Sequence, residues 1–122
     1  MPLERHKLDD FTRGWFVGDF SPTLIPTGAA EVAVQRYPAG AHEPQHVHRV
    51  ATELTLIVSG HARMNGEDLH AGEIVRIPPG LAADFEAVTE VTTVVVKMPC
   101  VKGDKYLCDP AAAEAARTVG KR

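Results

Sequence analysis

Apolar residues along the chain fall in short runs, many of them on alternate positions, and not at the three-and-four spacing of a helix face. Segments 15–20, 31–37, 46–50, 53–59, 62–65, 74–77, 84–87 and 91–98 read as strands, rich in Val, Ile, Thr and aromatic residues. Turn signals separate them: Pro38-Ala39-Gly40, Asn65-Gly66, Ala71-Gly72 and Pro78-Pro79-Gly80. Asn65-Gly66 suits a type I′ hairpin turn, whose two central residues both take positive φ. The spacing predicts an all-β domain of antiparallel, jelly-roll type. In the strand at 53–59, Glu53, Thr55 and Ile57 share one face, while Leu54, Leu56 and Val58 share the other. Val94, Val95 and Val96 repeat the two-sided apolar character. A sheet that is apolar on both faces needs a cover. The segment Trp15-Phe16-Val17 is one candidate, and a second copy of the chain is the other, so a homodimer is expected. After Leu107 the alternation stops. Asp109-Pro110 reads as an N-cap followed by proline at the first helical position, with about two turns of helix after it. The expected organisation is a single barrel over 1–108, with its N-terminal covering strand, and a short helix or tail over 109–122.

Composition narrows the function. At 122 residues the chain is one domain, large enough to bury a core without staples. A net charge of −3 and scattered Lys and Arg give no footprint for nucleic acid. No apolar run approaches membrane-spanning length. Residues 1–10 are charged and lack the apolar stretch of a signal peptide, so a cytoplasmic location is expected. In that setting Cys100 and Cys108 read as free thiols.

The chemistry concentrates in one stretch. His46 and His48 are two residues apart, so in an extended strand their imidazoles point to one side. A turn after His48 would return Glu53 to them on the neighbouring strand. Two imidazoles and a carboxylate with open positions suit one divalent metal: Fe, Mn, Ni or Zn. Metal binding requires neutral imidazoles, so affinity is expected to fall below about pH 6.

The full spacing is G-x5-H-x-H-x4-E-x6-G from Gly40 to Gly60, followed by Gly72, Pro78 and Gly80 as G-x5-P-x-G. Over roughly 32–97 this resembles the two motifs of the cupin superfamily. The resemblance implies a double-stranded β-helix, a metal held by His46, His48 and Glu53, and commonly a dimer. Cupins usually add a fourth ligand, a His three residues after the Gly of the second motif; that position here is Ala83, and the Asn-like position after it is Ala87. Asp84 stands beside it. Strict alternation puts Ala83 and Phe85 inside and Asp84 outside, whereas a one-residue bulge would bring Asp84 into the site as a fourth ligand. A three-ligand metal, an Asp84-completed site and a metal-free barrel all remain open.

Other residues are weighed around that centre. His42, in the approach to the ligands, and Asp84 are candidates for moving protons. Arg36 shares a face with Val32 and Val34; if that face lines the barrel, it is a fork for a substrate carboxylate or phosphate. Lys97 has the same ambiguity. Tyr37 and Phe85 are candidate ligand-contacting aromatics. The functional expectation is a metal-dependent enzyme on a small polar oxygenated molecule, of isomerase, lyase or dioxygenase type. The alternative is a non-catalytic module binding a sugar or organic acid, and a third is a structural partner of a larger enzyme.

Overall fold

The computed structural model of the protein describes residues 2–108, so the expected helix after Asp109 lies outside the described residues. Ten strands form two five-stranded antiparallel sheets. They are β1 (Trp15–Val17), β2 (Glu31–Tyr37), β3 (His42–Val47), β4 (Thr52–Ser59), β5 (His61–Met64), β6 (Glu67–His70), β7 (Ile74–Ile77), β8 (Ala83–Ala87), β9 (Val91–Met98) and β10 (Tyr106–Leu107). One sheet has the order β1-β2-β9-β4-β7 and the other β10-β3-β8-β5-β6. The all-β class is as expected. Asn65 and Gly66 both have positive φ, 51° and 79°, as the hairpin between β5 and β6 requires.

Three strands differ from expectation. β3 starts at His42, and the Pro at 44 does not prevent it. β6 was not expected, because Glu67-Asp68-Leu69-His70 carries no β-branched or aromatic signal. It lies at the edge of its sheet, where charged side chains discourage further pairing. β10 is two residues long and gains its extended form by pairing with His46 and Val47.

The sheets pack face to face around Ile57, Ala62, Met64, Ile77, Ala83, Phe85, Ala87 and Val91. Along the inner face of β4 the residues change from Ile57 through Thr55 to Glu53. Along β9 they change from Val91 through Thr93 and Val95 to Lys97, and Glu53 pairs in register with Lys97. One end of the sandwich is therefore apolar and closed, and the other collects buried polar groups. The outer face of the β4 sheet keeps Leu54, Val58, Ile74 and Met98 exposed. Trp15-Phe16-Val17 does not cover it: β1 pairs with β2 and extends the sheet sideways, and Trp15 turns inward opposite Ala33. No helix among the described residues is long and apolar enough to cross a membrane.

Gly60, at the sharp turn between β4 and β5, shows why the motif needs glycine. Its φ is 92°, and a Cβ there would lie 2.1 Å from the Glu90 carbonyl oxygen. The obstacle is a backbone oxygen, and the position of a Cβ is set by the backbone that carries it, so no rotamer relieves the clash. Gly60→Ala is expected to cost roughly 3 kcal/mol or more, read as a fall in the denaturation midpoint.

Candidate metal centre

The centre begins with an irregularity in β3. Glu43 pairs with Phe85 and His46 pairs with Ala83, so three residues of β3 span two of β8. Directly opposed residues of paired strands share a face. Ala83 and Phe85 are buried and face inward, so Glu43 and His46 both point into the cavity, on either side of the bulge. His48 follows just past the strand, with its carbonyl accepting the Gly80 N–H at 2.7 Å. Glu53 arrives from β4. That strand lies in the opposite sheet, not beside β3, so the carboxylate faces the two imidazoles across the sandwich.

Nitrogen and oxygen atoms of His46, His48 and Glu53 lie within 4.8 Å of one another, the one such group among the described residues. Backbone carbonyls orient both rings. Nδ1 of His48 donates to the Asp104 carbonyl, and Nδ1 of His46 donates to the Pro44 carbonyl at 3.1 Å. Those bonds leave each Nε2 as the nitrogen available to an ion, the arrangement usual for metal-bound histidines. His48 Nε2 is buried and makes no hydrogen bond among the described residues, although Glu53 Oε1 is 3.3 Å away. A nitrogen lone pair facing a carboxylate at that distance is repulsive unless a cation stands between them, either a proton or a metal ion. Donors about 2.1 Å from a common ion lie roughly 3 to 3.5 Å apart, so His48 and Glu53 already stand at a ligand spacing, and the full set, spread over up to 4.8 Å, would draw closer around an ion.

Electrostatics favour the binding form. Burial, and then the nearby Lys105, push His46 below the usual imidazole range, which keeps it neutral at pH 7. Burial opposes ionisation of Glu53, but the His48 ring when its Nε2 carries a proton, with Lys97 and the Thr55 hydroxyl, outweighs it and holds the Glu53 pKa at about 2. The Thr55 hydroxyl donates to Glu53 Oε2 at 2.7 Å. With the folded value depressed from 4.5, the stability this group lends is complete above about pH 4.5 and is lost as pH falls toward 2.

Asp104 organises the segment after His48. Its carboxylate accepts backbone N–H bonds from Arg49 and Ala51, each at 2.9 Å, and from Val50 at 3.2 Å. Although burial opposes its ionisation, these donors hold Asp104 below the usual carboxylate range.

Several candidates fall elsewhere. Strict alternation holds in β8, so Asp84 borders the cavity but turns outward. Its Oδ1 accepts the Asn65 N–H at 2.6 Å, tying down the β5–β6 turn, and it is not among the three clustered groups. Asp84→Ala is expected to leave metal stoichiometry unchanged while lowering stability by about 1 kcal/mol; plasma mass spectrometry and a denaturant titration read the two effects. The bulge also turns His42 out to solvent opposite Glu86, away from the imidazole pair. Arg36 shares its face with Val32 and Val34 as expected, but that is the outer face. Its guanidinium is exposed and lies 3.7 Å from Asp9. Tyr37 and Phe85 do line the cavity, with ring centroids 4.6 Å apart. The Tyr37 hydroxyl lies 3.0 Å from Glu43 Oε2 and 2.7 Å from Gln35 Oε1. Burial first, and then the Glu43 carboxylate, push the Tyr37 phenol upward, so it stays protonated. Glu43, Lys105 and Asp104 were not anticipated. The first needed the bulge, and the other two sit in a segment with no local signature.

No family model matches the sequence, and no curated protein does. Solved structures do match in fold. A conserved protein with a double-stranded β-helix domain from Klebsiella pneumoniae is 21% identical, with a TM-score of 0.66, and the alignment covers 88% of this chain and 99% of that one. The DMSP lyase DddQ from Ruegeria pomeroyi is 23% identical with a TM-score of 0.59; 69% of this chain aligns to 45% of that longer one. A cupin protein from Bacteroides fragilis is 24% identical with a TM-score of 0.51, over 64% of this chain and 72% of that one.

Proposed function

Starting from a chain with the cupin fold, we propose a metal-dependent enzyme acting on a small polar oxygenated molecule, of lyase or isomerase type. Its divalent ion (Fe, Mn, Ni or Zn) would be held by His46, His48 and Glu53. One observation carries this reading: the buried Nε2 of His48, its Nδ1 already committed to a carbonyl, stands 3.3 Å from Glu53 Oε1 without a hydrogen bond between them. The ion would polarise a substrate oxygen bound in its open positions.

The chain's own residues supply the rest. Glu43 projects into the same cavity, where its carboxylate can take a proton from a substrate carbon or oxygen. The Tyr37 hydroxyl and Lys105, 3.7 Å from Glu43, fix the orientation of that carboxylate. Phe85 and Met64 form an apolar wall that limits water. A proton-accepting carboxylate beside the ion favours lyase or isomerase chemistry over the dioxygenase branch. The DMSP lyase shows that the fold carries a lyase.

Ala83 favours the second reading, a binding module without turnover, because it leaves the usual fourth imidazole position without a donor. Metal content of the untagged protein separates the two. Close to one equivalent of transition metal supports the enzyme. None, even after reconstitution at neutral pH, transfers the assignment to the binding module.

A further inference from the structure

The cavity beside the clustered imidazoles is bordered by three cationic side chains, Arg13, Lys97 and Lys105, and by three carboxylates, Glu43, Glu53 and Asp84. Even with the outward-turned Asp84 and the Glu31 carboxylate behind Lys97 counted in full, a divalent ion leaves these groups with surplus positive charge. In a space shielded from water that surplus is costly unless the ligand is an anion.

The cations are also placed deliberately. Lys97 is 13% exposed, pinned between the Glu31 carboxylate at 3.6 Å and the face of the Trp15 ring, 4.9 Å from its centroid. Glu31 is itself 1% exposed and accepts a hydrogen bond from the Cys100 thiol at 2.9 Å. Lys105 stands on the segment leading into β10, on the opposite side of the cavity. Arg13 occupies the rim with φ 52° and ψ 31°, a left-handed conformation that non-glycine residues avoid unless their surroundings impose it. Next to it, a Cβ on Gly14 would overlap the Val34 carbonyl, so glycine is what lets the backbone lie this close to β2.

We propose that the ligand of this cavity is a small organic acid whose carboxylate is held between Lys97 and Lys105, while another of its oxygens meets the ion. The inference rests on the metal-centre reading above and adds the substrate class. The cavity opens about 60 Å³ to the centres of water molecules, which suits a molecule of a few heavy atoms. A neutral sugar of comparable size would leave the positive charge uncompensated.

The test uses the full chain loaded with Mn²⁺, whose binding is counted first by the electron paramagnetic resonance signal of the free ion. Malonate and its neutral isostere malonamide are then titrated calorimetrically. Malonate is expected to bind at least about tenfold more tightly than malonamide, and Lys97→Met and Lys105→Met each to weaken it about tenfold with Mn²⁺ stoichiometry unchanged. Should Lys97→Met fail to fold because Glu31 loses this cationic neighbour, Lys105→Met carries the test alone. Equal affinity for the two probes, or undiminished malonate binding in folded, Mn²⁺-loaded lysine variants, overturns the organic-acid assignment while the metal centre stands. Failure of Mn²⁺ to bind overturns both.

Discussion

His48→Ala is expected to fold and to lose tight metal binding. The ring contributes the one buried side-chain nitrogen that makes no hydrogen bond among the described residues, so its removal takes away a ligand and also relieves an unpartnered polar atom. The cost to the fold is the bond to the Asp104 carbonyl and a small void, about 1–2 kcal/mol together. The cost to metal binding is far larger, roughly three orders of magnitude or more, because two remaining donors cannot hold a divalent ion against water. Metal content by plasma mass spectrometry, beside circular dichroism, reads both effects. In the parent, affinity should decline in acid, because protons compete for the imidazole lone pairs that would hold the ion. A variant that retains one equivalent of metal would remove His48 from the shell.

Asp104→Ala should injure the protein more than a single surface-loop carboxylate suggests. It removes the acceptor for three consecutive N–H groups, those of Arg49, Val50 and Ala51. Water can replace the acceptor at the exposed Arg49 and Val50, but Ala51 is buried and its N–H would be left unsatisfied. A loss of about 2–4 kcal/mol follows, measured by denaturant unfolding. Metal affinity should drop as well, by about ten- to a hundredfold, because the same residue's carbonyl holds the His48 ring in orientation. Asp104→Asn keeps an acceptor oxygen and should fall between the two. Loss of stability without any loss of metal affinity would show that His48 is oriented by other means.

Alternation and turn chemistry made much of this architecture legible. Segments 31–37, 74–77 and 91–98 coincide with β2, β7 and β9, and Asn65-Gly66 makes the expected hairpin turn. The grouping of His46, His48 and Glu53 was legible from spacing and resemblance, and the structure brings them together. What escaped depends on relations between strands. Alternation says that Val32, Val34 and Arg36 share a face, but not that the face is the outer one; that is decided by Glu31, Ala33 and Tyr37 turning toward the core. Placing Glu53 on a neighbouring strand was natural for a short turn, yet the chain crosses to the other sheet between Val47 and Thr52. Asp104 is 56 residues from His48, and no local pattern announces a contact made by a backbone carbonyl.

The extra residue in β3 acts as a phase shift. With unbroken pairing, the residue sharing the cavity with His46 would be His42, and Glu43 would look out to solvent. The bulge exchanges an imidazole for a carboxylate at the same wall without changing a single side chain. It turns a strand that would present only imidazoles to the cavity into one that adds a proton acceptor standing apart from them. In a barrel of this kind, strand length is therefore a heritable variable of its own: one codon gained or lost near Pro44 can re-select which existing residues meet the ligand, with the imidazole pair left in place.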